Sequence, residues 1–175
     1  MDHADHVNLI RAGVEGGGLV WADFGAGWGA FTLALADVLG PGAEIHAVDR
    51  DANALAANAR SMQQRFSEVT ASFVRADFTT PLQLPPLDGI VMANSLHFQK
   101  DQPAVVERAL GYLRPGGRLV LVEYNIERGN QYVPHPVSFE RWKKLASEAG
   151  FASTELLARR PSRFLSEIYS AVSRL

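Results

Sequence analysis

Residues 23 to 29, "DFGAGWG", place glycines at Gly25, Gly27 and Gly29. Because Ala30 follows, the same letters also satisfy the dinucleotide pattern G-x-G-x-x-G/A. Such a loop, between an apolar run and a helix, leaves backbone N–H groups at a helix N-terminus with no side chains in the way of a nucleotide. Asp49 comes 24 residues after Gly25, at the tip of the next apolar run, where a carboxylate accepts both ribose hydroxyls. Alone, the glycines are a tight turn and Asp49 a helix cap; in strand, loop, helix, strand, acid order they predict a bound nucleotide cofactor. Asp23 narrows the choice. A carboxylate directly before the loop is repelled by a pyrophosphate and suits a cofactor carrying positive charge.

A second group of reactive side chains follows the fourth and fifth apolar runs: His97, Glu123, Tyr124, Asn125 and His135. His97 is the first choice for a general base, since an imidazole titrates near neutral pH. The other reading is a histidine that orients its loop. Tyr124 and Glu123 are further candidates. No pair among His3, His6 and His135 has ligand spacing beside a carboxylate, so no metal is expected. His3 and His6 read as solvated on a frayed terminus. The chain has no cysteine, which removes disulfides, zinc-thiolate sites and cysteine nucleophiles.

The elements that must position these groups alternate along the chain. At 175 residues and 47% hydrophobic content, one domain with a continuous core is expected. Residues 1–18 read as an opening helix, Asp5 to Val14, and a glycine loop, available as a lid together with "IERGNQYVPHPV". Strand-like runs at 19–24, 43–48, 68–76, 88–95 and 116–125 alternate with helix-like runs at 30–40, 51–66, 102–113 and 138–150. The exception is "DFTTPLQLPPL", whose three prolines leave little room for a helix. Such alternation predicts an α/β fold, a Rossmann-like and mostly parallel sheet with helices on both faces. The last two runs, "FASTELLA" and "FLSEIYSAV", are separated by about six residues. A parallel crossover needs a dozen or more, so these strands must pair antiparallel if they pair at all.

Formal net charge is −2, which provides no field to gather nucleic acid. The short basic cluster "ARRPSR" reads as a solvated turn. The first residues lack the basic and apolar regions of a signal peptide, and no apolar run approaches the ~20 residues that span a bilayer. The expectation is a cytoplasmic protein without nucleic-acid or membrane partners.

The nucleoside cofactor with a sulfonium, an ammonium and no phosphate is S-adenosylmethionine. "DFGAGWG", "VDRD", "RADF", "ANSLHF" and "LRPGGRLVLVEYN", in this order, resemble the class I S-adenosylmethionine-dependent methyltransferases over residues 19–175. Among subfamilies the chain is most similar to small-molecule enzymes of the quinone-biosynthesis type, on "LRPGGRLV" and "LH". The resemblance implies seven strands, with the seventh between the fifth and sixth. It implies that Asp23, Gly25, Gly27 and Gly29 surround the methionine portion, that Asp49 binds the ribose and that Arg50 packs beside the adenine. Asp77 would reach the adenine amine, Phe78 would flank the ring, and Asn94 and Ser95 would line the methionine side. His97 and Tyr124 would face a small-molecule acceptor. Bulky Trp21 and Trp28 depart from the usual loop; Trp28 either shields the cofactor or packs on the protein. Two rival readings are a non-catalytic subunit or scaffold with the same fold, and an NAD(P)-dependent oxidoreductase. The second lacks a Tyr-x-x-x-Lys pair.

Overall fold

The computed structural model describes residues 1–162 and 164–175. The element order is α1 (His3–Val14), β1 (Val20–Phe24), α2 (Ala30–Leu39), β2 (Glu44–Asp49), α3 (Ala52–Arg65), β3 (Thr70–Arg75), β4 (Leu87–Ala93), a single 3₁₀ turn (Leu96–Phe98), α4 (Gln102–Leu110), β5 (Leu113–Tyr124), α5 (Phe139–Ala149), β6 (Ser153–Pro161) and β7 (Glu167–Arg174). The strands form one sheet in the order β3-β2-β1-β4-β5-β7-β6. The first five are parallel, and β7 runs antiparallel between β5 and β6. The short link, the closing hairpin and the inserted seventh strand therefore agree with expectation.

Alternation along the central strands divides the core in two. Trp21, Val91, Val120 and Val122 point to the face covered by α1 and α2, whereas Ala22, Ile90, Leu119 and Leu121 point to the face covered by α4 and α5. Trp21 is thus a core residue, fully buried, and it lies so close to Gly89 that a methyl group there would meet its ring at 2.4 Å. Asp88 ties the strand starts together by accepting from the Leu19 and Val20 amides at 3.0 and 2.9 Å and from Arg114 at 2.8 Å. Asp88→Ala leaves those donors without an acceptor and is expected to lower the unfolding free energy by about 2–3 kcal/mol in urea titrations.

Several boundaries depart from the sequence reading. α1 is not frayed: Asp2 accepts from the Asp5 amide and the Asp5 carboxylate accepts from the Asp2 amide, a reciprocal cap. His3 pairs with Asp37 at 2.9 Å and the His6 ring lies 4.9 Å from Phe31, so neither is free in solvent. β5 begins earlier than "GGRL", because Leu113 pairs with Leu87 before a bulge resumes the ladder at Arg118. β7 begins three residues later than Phe164, after Ser166 takes a positive φ of 47°. The basic cluster is not merely solvated: Arg160 forms an ion pair with Asp5 of α1. Its Arg163 lies outside the described residues.

Candidate active site at the carboxyl ends of the strands

The glycine loop leaves β1 and enters α2. Its conformation is held by Asp49, whose carboxylate accepts from the Gly27 amide at 2.8 Å and from the Asp51 amide at 2.8 Å. The acid at the tip of β2 therefore braces the loop as well as facing the cleft. That cleft, about 210 Å³, is lined by Gly25, Asp49, Phe78, Asn94, Ser95 and Phe98, with Arg50 and Gln99 at its border. Ser95 donates to the Phe24 carbonyl at 2.7 Å, which fastens the end of β4 to the end of β1. Phe78 stacks on Phe24 with ring centroids 5.9 Å apart. Asp77 accepts from the Thr79 amide and hydroxyl at 2.9 and 2.7 Å, and its second oxygen lies 3.6 Å from Arg50. Arg50 is mostly exposed, and Trp28 is 69% exposed and does not line the cleft.

Two polar groups beside this cleft lack what they need. Asp23 is buried and accepts from the Thr32 hydroxyl at 2.7 Å, while Thr32 accepts from the Asn58 amide at 2.8 Å. Burial pushes its carboxyl up to about 7, and the Asp49 charge adds to the rise. Asn94 takes a left-handed φ of 51°, and its buried side-chain oxygen has no hydrogen-bond partner. A buried carboxyl beneath the glycine loop and a buried amide oxygen without a donor fit an ammonium group. Together with Asp49 on the cleft wall, they suit the positive charge of S-adenosylmethionine better than a pyrophosphate.

His97, on the 3₁₀ turn after β4, is 2% exposed. Its Nδ1 lies 2.6 Å from Oε2 of the fully buried Glu123, and its backbone amide donates to Oε1 at 3.2 Å. The His97 carbonyl accepts from the His135 amide at 3.0 Å, so the loop after β5 is laced to the same turn. The His97 ring centroid is 4.2 Å from that of Phe98 and 6.3 Å from that of Tyr124. Tyr124 lines a larger cavity, about 580 Å³, with Phe164, Ile168, Pro161 and the first turn of α1. Burial, and then the Glu123 charge, raise the Tyr124 phenol above its usual range. Asn125 turns away, donating to Glu167 at 2.8 Å and accepting from the Phe139 amide at 3.1 Å.

The sequence reading thus brings Gly25, Asp49, Phe78, Asn94 and Ser95 to one cleft, with Asp23 beneath the loop. What it missed is the partnership of Glu123 with His97 and the share of the β6–β7 loop in the second cavity. Parallel pairing of β4 with β5, which sets Ala93 opposite Val122, was the signal that could have found the first. Among the described residues no three His, Asp or Glu side chains group as a metal-ligand set, and no helix is long and apolar enough to cross a membrane.

A methyltransferase-domain family model matches residues 22–119, more than half of the chain. No curated protein sequence matches. Among solved structures, the chain is similar to an arsenic(III) S-adenosylmethionine methyltransferase from Chlamydomonas reinhardtii, with 20% identity and a TM-score of 0.74, over 96% of this chain and 66% of that one. It is similar to a putative O-methyltransferase from Nostoc punctiforme, with 18% identity and a TM-score of 0.77, over 98% and 56%. A third is magnesium protoporphyrin IX methyltransferase from Synechocystis with bound S-adenosylmethionine, at 18% identity and 0.69, over 97% and 77%. The chain therefore spans about two thirds or less of the first two, and at these identities the likeness is one of fold.

Proposed function

The chain belongs to the methyltransferase-domain family, and from that premise we propose that it transfers a methyl group from S-adenosylmethionine to a small-molecule acceptor. The observation that carries this reading is the glycine loop set beside the buried Asp23 carboxyl, which desolvation raises, and the buried Asn94 oxygen, which has no hydrogen-bond partner. Asp23 and Asn94 would hold the ammonium of the methionine portion, Asp49 the ribose hydroxyls, and Phe78 the adenine face. Arg50 and Asp77, paired with one another, would close the adenine end. When bound, the cofactor supplies an electrophilic methyl carbon on a sulfonium, so in-line placement of the acceptor does most of the work. His97 is the base for an acceptor that must lose a proton.

Calorimetric titration with S-adenosylhomocysteine and, separately, with NADH tests this. Binding of the first alone is expected; binding of NADH alone would return the site to the oxidoreductases. Asp49→Ala removes the acceptor of the Gly27 and Asp51 amides together with the ribose contact. It is expected to weaken S-adenosylhomocysteine at least a hundredfold, since bonds to a charged group contribute about 1.5–3 kcal/mol each. Unchanged affinity would remove Asp49 from the site.

A further inference from the structure

We propose that the chain pairs with a second copy of itself through β3, an edge strand of the sheet, so that two copies share one continuous sheet about a twofold axis at Phe73. Three observations carry it.

The first is the use made of the β3 backbone. Thr70 donates to the Ala43 carbonyl at 2.9 Å and Ala76 to the Asp49 carbonyl at 3.0 Å. Backbone groups alternate sides along a strand, and the parallel pairing of β3 with β2 is unbroken from Thr70 to Arg75. The even-numbered residues therefore spend their amides and carbonyls on β2. Those of Ala71, Phe73 and Arg75 point the other way, where the sheet ends. A row of unpaired donors and acceptors is a template for another strand.

The second is the contrast between the two edges. β6, at the far edge, carries a bulge between Leu156 and Ala158, ends in Pro161 and is tied to α1 by the Arg160–Asp5 ion pair. Bulges, prolines and covering elements keep other strands from adding. β3, "TASFVR", has no bulge and no proline, and its one charge is at its last residue. Addition is thus blocked at one edge and open at the other. Pairing stops at two copies and does not grow into a filament.

The third is self-complementarity, which favours a second copy over a strand from another protein. In an antiparallel ladder, residues that exchange both hydrogen bonds face one another. With the axis at Phe73, that residue faces its own counterpart and Ala71 faces Arg75, so every outward group is used. An axis at Ser72 would set Arg75 against Val69, whose amide is already spent on the Phe66 carbonyl, and an axis at Val74 would set Ala71 against Asp77, beyond the strand. In the Phe73 register no charge faces one of its own sign. Ala71 and Phe73 border a shallow groove of about 70 Å³ with Met62 and Phe66. The pairing brings two such grooves side by side, with Arg75 of each copy diagonal to Phe73 of the other, where a guanidinium reaches an aromatic face.

Antiparallel union points the carboxyl ends of the two sets of strands in opposite directions. Each copy keeps its own open cleft, and the pairing is independent of the methyl-transfer reading.

Two measurements on the full chain test the proposal. Amide hydrogen exchange by NMR is expected to show Ser72 and Val74 protected at every protein concentration, and Ala71, Phe73 and Arg75 protected only as concentration rises. Sedimentation equilibrium over the same range should show conversion to twice the chain mass. A chain that stays monomeric, or a dimer whose Ala71, Phe73 and Arg75 amides exchange freely, overturns the proposal. The register is read by two variants that burden the fold at the same place with opposite charge. Ala71→Glu sets a carboxylate opposite Arg75 on both sides of the axis and should tighten the dimer, whereas Ala71→Lys sets like charges there and should weaken it. Their dissociation constants are expected to differ by about tenfold or more. Equal constants overturn the Phe73 register. If both variants fail to fold, the exchange pattern of the wild-type chain decides.

Discussion

Asp23→Asn is expected to make the cofactor-free protein more stable at pH 8 and no more stable at pH 4, while weakening S-adenosylhomocysteine by two orders of magnitude. The carboxyl of Asp23 ordinarily titrates at 3.8 and is pushed up to about 7 in the fold, first by burial and further by Asp49. A folded-state value above the unfolded one means that the unfolded chain ionises first. The stability present at low pH is therefore lost progressively as pH rises from 3.8, and the loss is complete once pH passes about 7. A rise of that size corresponds to up to about 4 kcal/mol at alkaline pH. Asparagine keeps the oxygen that accepts from the Thr32 hydroxyl at 2.7 Å and carries no charge to bury. Urea unfolding at pH 4, 6 and 8 reads the difference, which should grow with pH. Equal stabilities at pH 8 would mean that Asp23 already has a cation.

The same residue dictates the pH dependence of binding. A ligand ammonium beside Asp23 favours the ionised carboxylate, so below pH 7 binding must expel a proton and the wild-type affinity should rise with pH until about 7. In Asp23→Asn this slope should vanish. A protein that buries a carboxyl under this loop gives up stability at neutral pH, and pairing with a cationic cofactor, as proposed, would restore it, the trade expected of a site built for function.

The parts of this arrangement visible in the sequence are those encoded locally. Gly25 to Gly29 between two apolar runs announce a strand, a loop and a helix, and Asp49 announces itself by distance along the chain. The six-residue link before β7 excludes a crossover, so antiparallel closure needed no structure to infer. Pairings set by tertiary packing were not visible. Asp5 meets Arg160 across 155 residues, which turns an apparently solvated turn into an anchor for α1. Glu123 meets His97 only because β4 and β5 end side by side. The start of β7 depended on one backbone angle, at Ser166, and no hydrophobic pattern encodes it.

The glycines of the loop, alike in the motif, separate in their consequences. Gly29 caps α2 with a φ of 94°, and a methyl group there would lie 2.4 Å from Oδ1 of Asn58. Asn58 is fully buried and donates to Thr32, which donates to Asp23. Gly29→Ala therefore adds backbone strain, at about 1–2 kcal/mol, to a clash that must displace Asn58 and unmake a buried hydrogen bond. A loss of about 3 kcal/mol or more in urea unfolding is expected, accompanied by weakened S-adenosylhomocysteine, since Thr32 no longer holds Asp23 in place. Gly27 has a φ of 50°, inside the left-handed well that other residues enter at modest cost, and an added methyl group meets nothing closer than the Gly25 carbonyl at 4.0 Å. Gly27→Ala keeps its amide bond to Asp49 and should cost about 1 kcal/mol. Similar losses for the two variants would show that the loop's glycines are needed for backbone freedom alone; a gap of 2 kcal/mol or more would place the demand of the motif on Asn58, a residue 29 positions away that no reading of the loop itself would name.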